Sequence, residues 1–250
     1  MTLQTFFREN PKAAIAFSGG ADSAYLLCEA VKCGAAVRAY YVKSAFQPAF
    51  ELADARRLAE MLGAELTVLE VDILSVPLVA ANGPERCYHC KKAIFTAIAA
   101  AAAADGFSLL LDGTNASDEA STRPGMRALS ELSVRSPLRE CGLTKAEIRR
   151  LSKAAGLFTW DKPAYACLAT RIPCGTAIAA EALERTEKAE DTLFAMGFTD
   201  FRLRLWNGQA KLQLTAAQFP LLLEKRTEIL ETLRNYYSGV LLDLEVRDEQ

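Results

Sequence analysis

The chain has 250 residues, of which 51% are hydrophobic and 24% are charged, a composition typical of a soluble globular protein with one large or two small domains. It has no apolar run that could span a bilayer, and residues 1–10 lack the basic start and apolar core of a signal peptide, so we expect a cytoplasmic protein without a membrane partner. The formal net charge of −2 and the pI of about 5.7 give no electrostatic footprint of a nucleic-acid partner.

Strand-like and helix-like segments alternate over the first two thirds of the chain. The predicted strands are 13–17, 36–42, 66–71 and 108–112, and the predicted helices are 22–32, 50–62, 88–104 and 144–155. This alternation predicts an α/β fold with a doubly wound, mainly parallel sheet. Ligands of such sheets bind at the carboxyl ends of the strands. We therefore give weight to Ser44 after the second strand and to Gly113 and Thr114 after the fourth.

The pattern changes near residue 176. The segments that follow are a helix at 180–196, two alternating strands at 201–205 and 210–214, a helix at 216–235 and a strand at 240–246. The Asn207-Gly208 turn between the first two strands indicates an antiparallel hairpin. We therefore predict two domains, a first over 1–175 and a small α+β domain over 176–250.

The string Ser18-Gly19-Gly20-Ala21-Asp22-Ser23 is the most informative stretch, because it lies between the first predicted strand and the first predicted helix. Small residues allow a sharp turn, and the free N–H groups and dipole of a helix N-terminus favour an anion there. No Gly-Lys-Ser/Thr closes the string, so it is not a Walker A loop. It resembles the pyrophosphate loop of the ATP-pyrophosphatase superfamily. That resemblance implies ATP as the nucleotide, with Mg²⁺ on its phosphates and Asp22 beside the metal.

Seven cysteines in a chain expected to be cytosolic argue against a disulfide framework. Cys87 and Cys90 form a Cys-x-x-Cys at the start of a predicted helix, which suits a metal, a cluster or a redox dithiol. Zinc would need further ligands, and two idle thiols remain the alternative. Cys167 lies in the long loop 160–176, where the charge of Arg171 would favour its thiolate.

Two arginines, Arg202 and Arg204, alternate along a predicted strand and therefore share one face. A pair of guanidinium groups suits a phosphate or carboxylate, and an exposed charged face is the alternative. After the fourth strand, Asp118, Glu119 and Arg123 could bind nucleotide or metal, or merely solvate their loop.

Several motifs together resemble the LarE-type ATP-dependent sulfur transferases, in order over residues 12–246. The motifs are the string at 17–23, Asp112-Gly113-Thr114-Asn115, Arg123-Pro124-Gly125, Arg135-Ser136-Pro137-Leu138, 160–164, 171–176 and 201–204. The family makes the nickel-pincer nucleotide cofactor. It adenylates a carboxylate of pyridinium-3,5-biscarboxylic acid mononucleotide and converts it to a thiocarboxylate, so the resemblance implies this small molecule as substrate and a sulfide or other sulfur donor as partner.

Within that family the sulfur source varies. One type gives up the sulfur of a single loop cysteine, which becomes dehydroalanine; the other uses three cysteines to hold a [4Fe-4S] cluster with a labile sulfide. With Cys87, Cys90 and Cys167 this chain resembles the cluster type. Cys174 stands where the family usually has tyrosine.

The resemblance implies roles for individual residues and, with them, a homo-oligomer. The implied catalytic residues are Cys167 and Asp22, and the implied nucleotide-binding residues are Ser18, Gly19, Gly20, Asp22, Ser23, Ser44, Gly113, Thr114 and Arg123. The implied substrate-binding residues are Thr170, Arg202 and Arg204, with Glu190 and Asp243 in a magnesium or substrate site.

Three other functions share some of these features. A tRNA thiolase has the same loop and often three cysteines, but it should be basic and carry an RNA-binding module. An ammonia-using amide synthase of the NAD- or GMP-synthetase kind has the loop but leaves the three cysteines without work. A non-enzymatic nucleotide-binding regulator would need neither the cysteines nor the paired arginines.

Overall fold

The computed structural model describes residues 1–118 and 124–247, which separate into two compact units. The first comprises Met1–Val76 and Glu85–Lys162, and the second comprises Pro77–Pro84 and the chain from Pro163 onward. The structural division therefore differs from the predicted ranges 1–175 and 176–250. Residues 77–84 cluster with the second unit because the Asn82 side chain donates hydrogen bonds of 2.8 and 2.9 Å to the carbonyls of Pro173 and Thr176.

Most of the predicted elements are confirmed, and the structure adds several short helices. The strands are β1 Lys12–Ala16, β2 Ala36–Lys43, β3 Glu65–Glu70, β4 Leu110–Leu111, β5 Phe201–Trp206, β6 Gln209–Leu214 and β7 Val240–Leu242. The helices are α1 Leu3–Glu9, α2 Ala21–Lys32, α3 Ala49–Leu62, α4 Pro77–Ala80, α5 Arg86–Ala104, α6 Pro124–Glu131, α7 Pro137–Glu140, α8 Lys145–Ala154, α9 Ala180–Ala195 and α10 Phe219–Leu233. Across the described ranges, no helix combines the length and apolarity needed to cross a membrane.

The first unit is built on a four-stranded parallel sheet in the order β3-β2-β1-β4. The central strand β1 is fully buried at Ala13, Ala14 and Ile15, as a strand covered on both faces requires. Helices flank the sheet, which agrees with the predicted α/β class. Because the chain adds β2 and β3 on one side of β1 and β4 on the other, the strand order reverses next to β1. Such a switch point opens a crevice at the carboxyl ends of the strands.

The second unit has the predicted order of a helix, two strands, a helix and a strand. Strands β5 and β6 form an antiparallel hairpin, and β7 pairs in parallel with β6. At the turn, Asn207 and Gly208 have φ of 49° and 78°, the left-handed pair that a tight hairpin needs. Alternate β5 residues Phe201 and Leu203 pack with Leu193 of α9 and other apolar side chains in one buried core.

Candidate functional site

The loop between β1 and α2 has glycines at its two most constrained positions. Gly19 has φ of 73°, and a Cβ on it would lie 3.2 Å from Ala55 Cβ, so backbone conformation and space both favour glycine. The hydroxyls of Ser18 and Ser23 lie 3.1 Å apart, and Ser23 Oγ also donates to the Gly20 carbonyl at 3.2 Å. Gly20 is the N-cap of α2 and offers no side chain to the first helical N–H groups. Those groups and the helix dipole are suited to an anion.

The loop after β4 lies directly against the start of α2. A Cβ added to Gly113 would lie 2.9 Å from the backbone nitrogen of Ser23, closer than real contacts allow. The neighbouring Asp112 accepts hydrogen bonds from the hydroxyls of Thr114 and Ser136. The loops that follow β1 and β4 therefore meet at the switch point, where the sequence placed the nucleotide.

Asp22, in the first turn of α2, is held by a lysine that sequence reasoning missed. Its Oδ2 lies 2.7 Å from Lys145 Nζ, at the start of α8, and the Lys145 backbone N–H donates to Ser117 Oγ at 3.0 Å. The other oxygen, Oδ1, is buried and has no hydrogen-bond partner among residues 1–118 and 124–247. A buried carboxylate oxygen without a partner has the donor chemistry that Mg²⁺ takes, so Asp22 Oδ1 fits a divalent cation.

The other side chains predicted to bind the nucleotide are, where the structure describes them, already hydrogen-bonded within the protein. Ser44 is buried, and its hydroxyl donates to Gln47 Oε1 at 2.7 Å and accepts from the Phe46 N–H. Thr114 is committed to Asp112, as described above. Arg123 lies outside the described residues, as does Glu119. Nucleotide binding by these residues stays a prediction.

All seven cysteines lie in described residues, and none forms a disulfide. Cys87 and Cys90 occupy the first turns of α5, three positions apart and hence on one face, with the Arg86 guanidinium 3.6 Å from Cys87 Sγ. Cys167 belongs to the second unit. Within the described chain, no three His, Cys, Asp or Glu side chains form a ready metal site. Burial raises the pKa of the Cys28 thiol.

The loop that carries Cys167 is fixed by a buried ion pair. Arg171 Nε and Nη2 donate to the two Glu190 oxygens at 2.7 and 3.0 Å, and both side chains are at most 1% exposed. Glu190 also accepts from the Tyr165 hydroxyl and from the Leu203 N–H at 3.1 Å. Both oxygens of Glu190 therefore have protein partners in the core, and its expected place in a magnesium or substrate site stays a prediction.

The two strand arginines also contact this loop. Arg202 Nη2 donates to the Ala164 carbonyl, and Arg204 Nη1 donates to the Thr170 carbonyl at 3.0 Å. Both guanidiniums therefore reach one segment, as their shared strand face requires. The Thr170 hydroxyl donates to the Cys167 carbonyl at 2.8 Å. Burial, and then the charges of neighbouring arginines, lower the pKa of Arg202 to about 10.

Asp243 is already partnered at the end of β7. Its Oδ2 accepts from Lys211 Nζ at 2.7 Å and from Gln213 Nε2 at 2.6 Å, and these bonds lower its pKa. Gln213 Oε1 in turn accepts from Arg204 Nε at 2.6 Å. Asp243 therefore contacts Arg204 through Gln213, and its predicted role as a metal or substrate ligand stays a prediction. Cys174 is exposed, and its thiol donates to the Asn82 carbonyl at 3.4 Å.

The contact between Gly113 and Ser23 predicts a strong effect of one methyl group. Gly113→Ala should displace the start of α2 and lower the free energy of unfolding by about 1–3 kcal/mol, as overpacking does. Gly83→Ala is the matched control, because a Cβ there meets nothing within 4 Å. Urea unfolding of both variants is the measurement. Equal stability of the two would contradict the close contact.

The buried ion pair predicts a non-additive mutant series. Glu190→Leu should cost about 3–5 kcal/mol, because it leaves the Arg171 charge buried without a partner. Arg171→Met combined with Glu190→Leu should be more stable than either single variant. Glu231→Leu, at an exposed position of α10, should change stability by less than about 0.5 kcal/mol. A double variant no more stable than the singles in urea unfolding would argue against a tightly coupled pair.

Comparison with known proteins gives the chain a family. No protein-family model matches it. It is 35% identical over 248 residues to an uncharacterised protein of Synechocystis, covering 97% of this chain and 92% of that one. It is 32% identical over 219 residues to the pyridinium-3,5-bisthiocarboxylic acid mononucleotide synthase of Lactiplantibacillus plantarum, covering 87% of this chain and 79% of the relative. With an uncharacterised Methanocaldococcus jannaschii protein it shares 28% identity over 242 residues. The chain therefore belongs to the LarE-type family, that of pyridinium-3,5-bisthiocarboxylic acid mononucleotide synthase.

Proposed function

We propose that this chain is an ATP-dependent sulfur transferase that converts a carboxylate of pyridinium-3,5-biscarboxylic acid mononucleotide to a thiocarboxylate, in the synthesis of a nickel-pincer nucleotide. Membership of the LarE-type family is the observation that carries the proposal. Two structural features support it: a glycine-rich loop at the switch point of the first unit that leaves the start of α2 uncapped, and a cysteine loop in the second unit whose backbone carbonyls accept from Arg171 and Arg204.

Activation of the carboxylate is assigned to the first unit. A carboxylate oxygen of the substrate attacks the α-phosphorus of ATP, the bond to the β-phosphate oxygen breaks, and pyrophosphate leaves. The developing negative charge would be stabilised by the N–H groups in the first turn of α2, which no side chain caps. Asp22 would hold Mg²⁺ through Oδ1, and the Lys145 ammonium supplies a further positive charge. The product of this step is an acyl adenylate.

Substrate binding and sulfur transfer are assigned to the second unit. Arg202 and Arg204 would bind the substrate phosphate, since a guanidinium pair forms strong charge-assisted hydrogen bonds to phosphate. A sulfur nucleophile then attacks the activated carbonyl carbon, and AMP leaves with the bonding electrons of the carbon–oxygen bond. Cys167 is the thiol that Thr170 and Arg171 position within this loop.

The residues present fit a cluster in their donor chemistry. Cys87 and Cys90 offer two thiols on one face of α5, and Cys167 would be the third ligand. A [4Fe-4S] cluster with three protein ligands would supply a labile sulfide at its open iron. The chain's own contribution would be to hold that iron–sulfur group by thiolate and to keep Cys28 and Cys141, whose pKa values burial raises, out of the chemistry.

The proposed adenylation predicts which bond of ATP is cleaved. With substrate and Mg²⁺, labelled ATP should yield AMP and pyrophosphate in equal amounts. Lys145→Ala should lower kcat/KM for ATP roughly ten-fold or more, the loss expected for a hydrogen bond to a charged group. Lys153→Ala, at the other end of α8, should change it by less than about two-fold. Formation of ADP and phosphate would refute the assigned cleavage.

The proposed cluster predicts the source of the sulfur. Anaerobic reconstitution should give about four irons per chain, and sulfide should sustain repeated turnover with no change in protein mass. Cys90→Ser should lose the iron, whereas Cys174→Ser should keep both iron and activity. Iron assay and intact-protein mass spectrometry measure these outcomes. An iron-free chain that works once and loses one H₂S from Cys167 would refute the cluster and leave adenylation intact.

A further inference from the structure

The Cys167 loop is tied to the rest of the second unit by guanidinium groups on its backbone carbonyls. Arg171 Nη1 donates to the Ala166 carbonyl at 2.9 Å, before the cysteine, and to Thr170 Oγ1 at 2.9 Å, after it. Arg204 Nη1 donates to the Thr170 carbonyl at 3.0 Å. Thr170 returns two hydrogen bonds to the Cys167 carbonyl, one from its N–H at 2.9 Å and one from its hydroxyl. Two hydrogen-bonded links, from Arg204 to Thr170 and from Thr170 to Cys167, therefore connect the Arg204 guanidinium to the cysteine backbone.

These arginines differ in how firmly they are held. Arg171 is buried and has a carboxylate partner in Glu190, so its position is fixed. Arg204 is exposed, and in the described part of the chain its N–H groups go to neutral oxygens, those of Gln213 and Thr170. Partial desolvation of the guanidinium and then the positive charges of Arg171 and Arg247 lower the pKa of Arg204, and the Asp243 carboxylate opposes them. A guanidinium bonded only to neutral acceptors can exchange one of them for an anion, because a bond between two charged groups is stronger.

We propose that Arg204 is an exchangeable positioning residue for Cys167: an anionic phosphate group replaces the Thr170 carbonyl on its guanidinium and loosens the loop, while Arg171 remains the fixed attachment. The identity of that phosphate as the substrate's rests on the proposed function; the exchange itself requires only a phosphate. The Cys167 thiol is then held in place until an anion arrives.

Hydrogen exchange at the Thr170 amide tests the proposal, because this N–H donates to the Cys167 carbonyl while Arg204 is bonded to the loop. Exchange is followed by mass spectrometry on peptides covering 164–172, in sodium phosphate and in sodium chloride of equal ionic strength. Phosphate should accelerate exchange at Thr170 roughly five-fold, the change expected when one hydrogen bond is lost. Unchanged or slower exchange in phosphate would overturn the proposal.

Two variants separate exchange at Arg204 from general effects of salt. Arg204→Gln should show fast exchange at Thr170 without phosphate and no further acceleration with it. Arg226→Gln, at an exposed position of α10, should respond as the unaltered chain does. A phosphate response that persists in Arg204→Gln would overturn the assignment to this residue. The assay contains neither ATP nor a sulfur donor, so failure of the proposed sulfur transfer in a separate activity assay leaves its result standing.

Discussion

One buried carboxylate, that of Glu190, joins a helix, a strand and the functional loop of the second unit. It projects from α9, accepts from the Leu203 N–H of β5 and binds Arg171 of the loop with both oxygens. Burying such a pair costs several kcal/mol per ion in lost hydration, and only good geometry with extra hydrogen bonds offsets that cost. The Tyr165 hydroxyl and the Leu203 N–H supply those bonds. Glu190 therefore holds Tyr165 and Arg171, one on each side of Cys167 in the chain.

The first unit depends on a steric constraint. The loops after β1 and β4 can meet only because Gly113 has no side chain to strike the backbone of Ser23, and Gly19 accepts a left-handed conformation against Ala55. Lys145 contacts Asp22 in the first turn of the same helix, whose N-terminus no side chain caps. The close packing at Gly113 and Gly19 therefore shapes the turn to which we assign the anion.

The sequence predicted this architecture well wherever the signal was local. The alternation of strand-like and helix-like segments predicts the parallel strands, and Asn207-Gly208 predicts the hairpin. The predicted helix at 144–155 is α8, which a capping box at Thr144 starts. No helix is predicted where α1 lies, because residues 1–10 are compared only with a signal peptide. Leu3, Phe6 and Phe7 nevertheless follow a helical spacing and are buried.

Non-local contacts could not be predicted in this way. Lys145 lies 123 positions from Asp22, and no local pattern joins them. The ligand role expected of Glu190 rests on resemblance alone. Its pairing with Arg171, 19 positions away, has no sequence signature. Nor could spacing show that residues 77–84 pack with the second unit, since Asn82 makes that contact through hydrogen bonds to distant backbone carbonyls.

The free energies of the hydrogen bonds limit how strongly the arginines can control the position of Cys167. A hydrogen bond between neutral groups contributes about 1 kcal/mol, and one to a charged group about 1.5–3 kcal/mol. Because the Arg204 guanidinium is charged, its bond to the Thr170 carbonyl already belongs to the stronger class, and exchange for a phosphate gains at most about 1.5 kcal/mol. Moving an equilibrium from 1:99 to 99:1 needs about 5.5 kcal/mol. The response of the loop must be graded. Breaking the buried Arg171 pair would cost more than any such exchange returns, so Arg171 stays fixed in the proposed exchange.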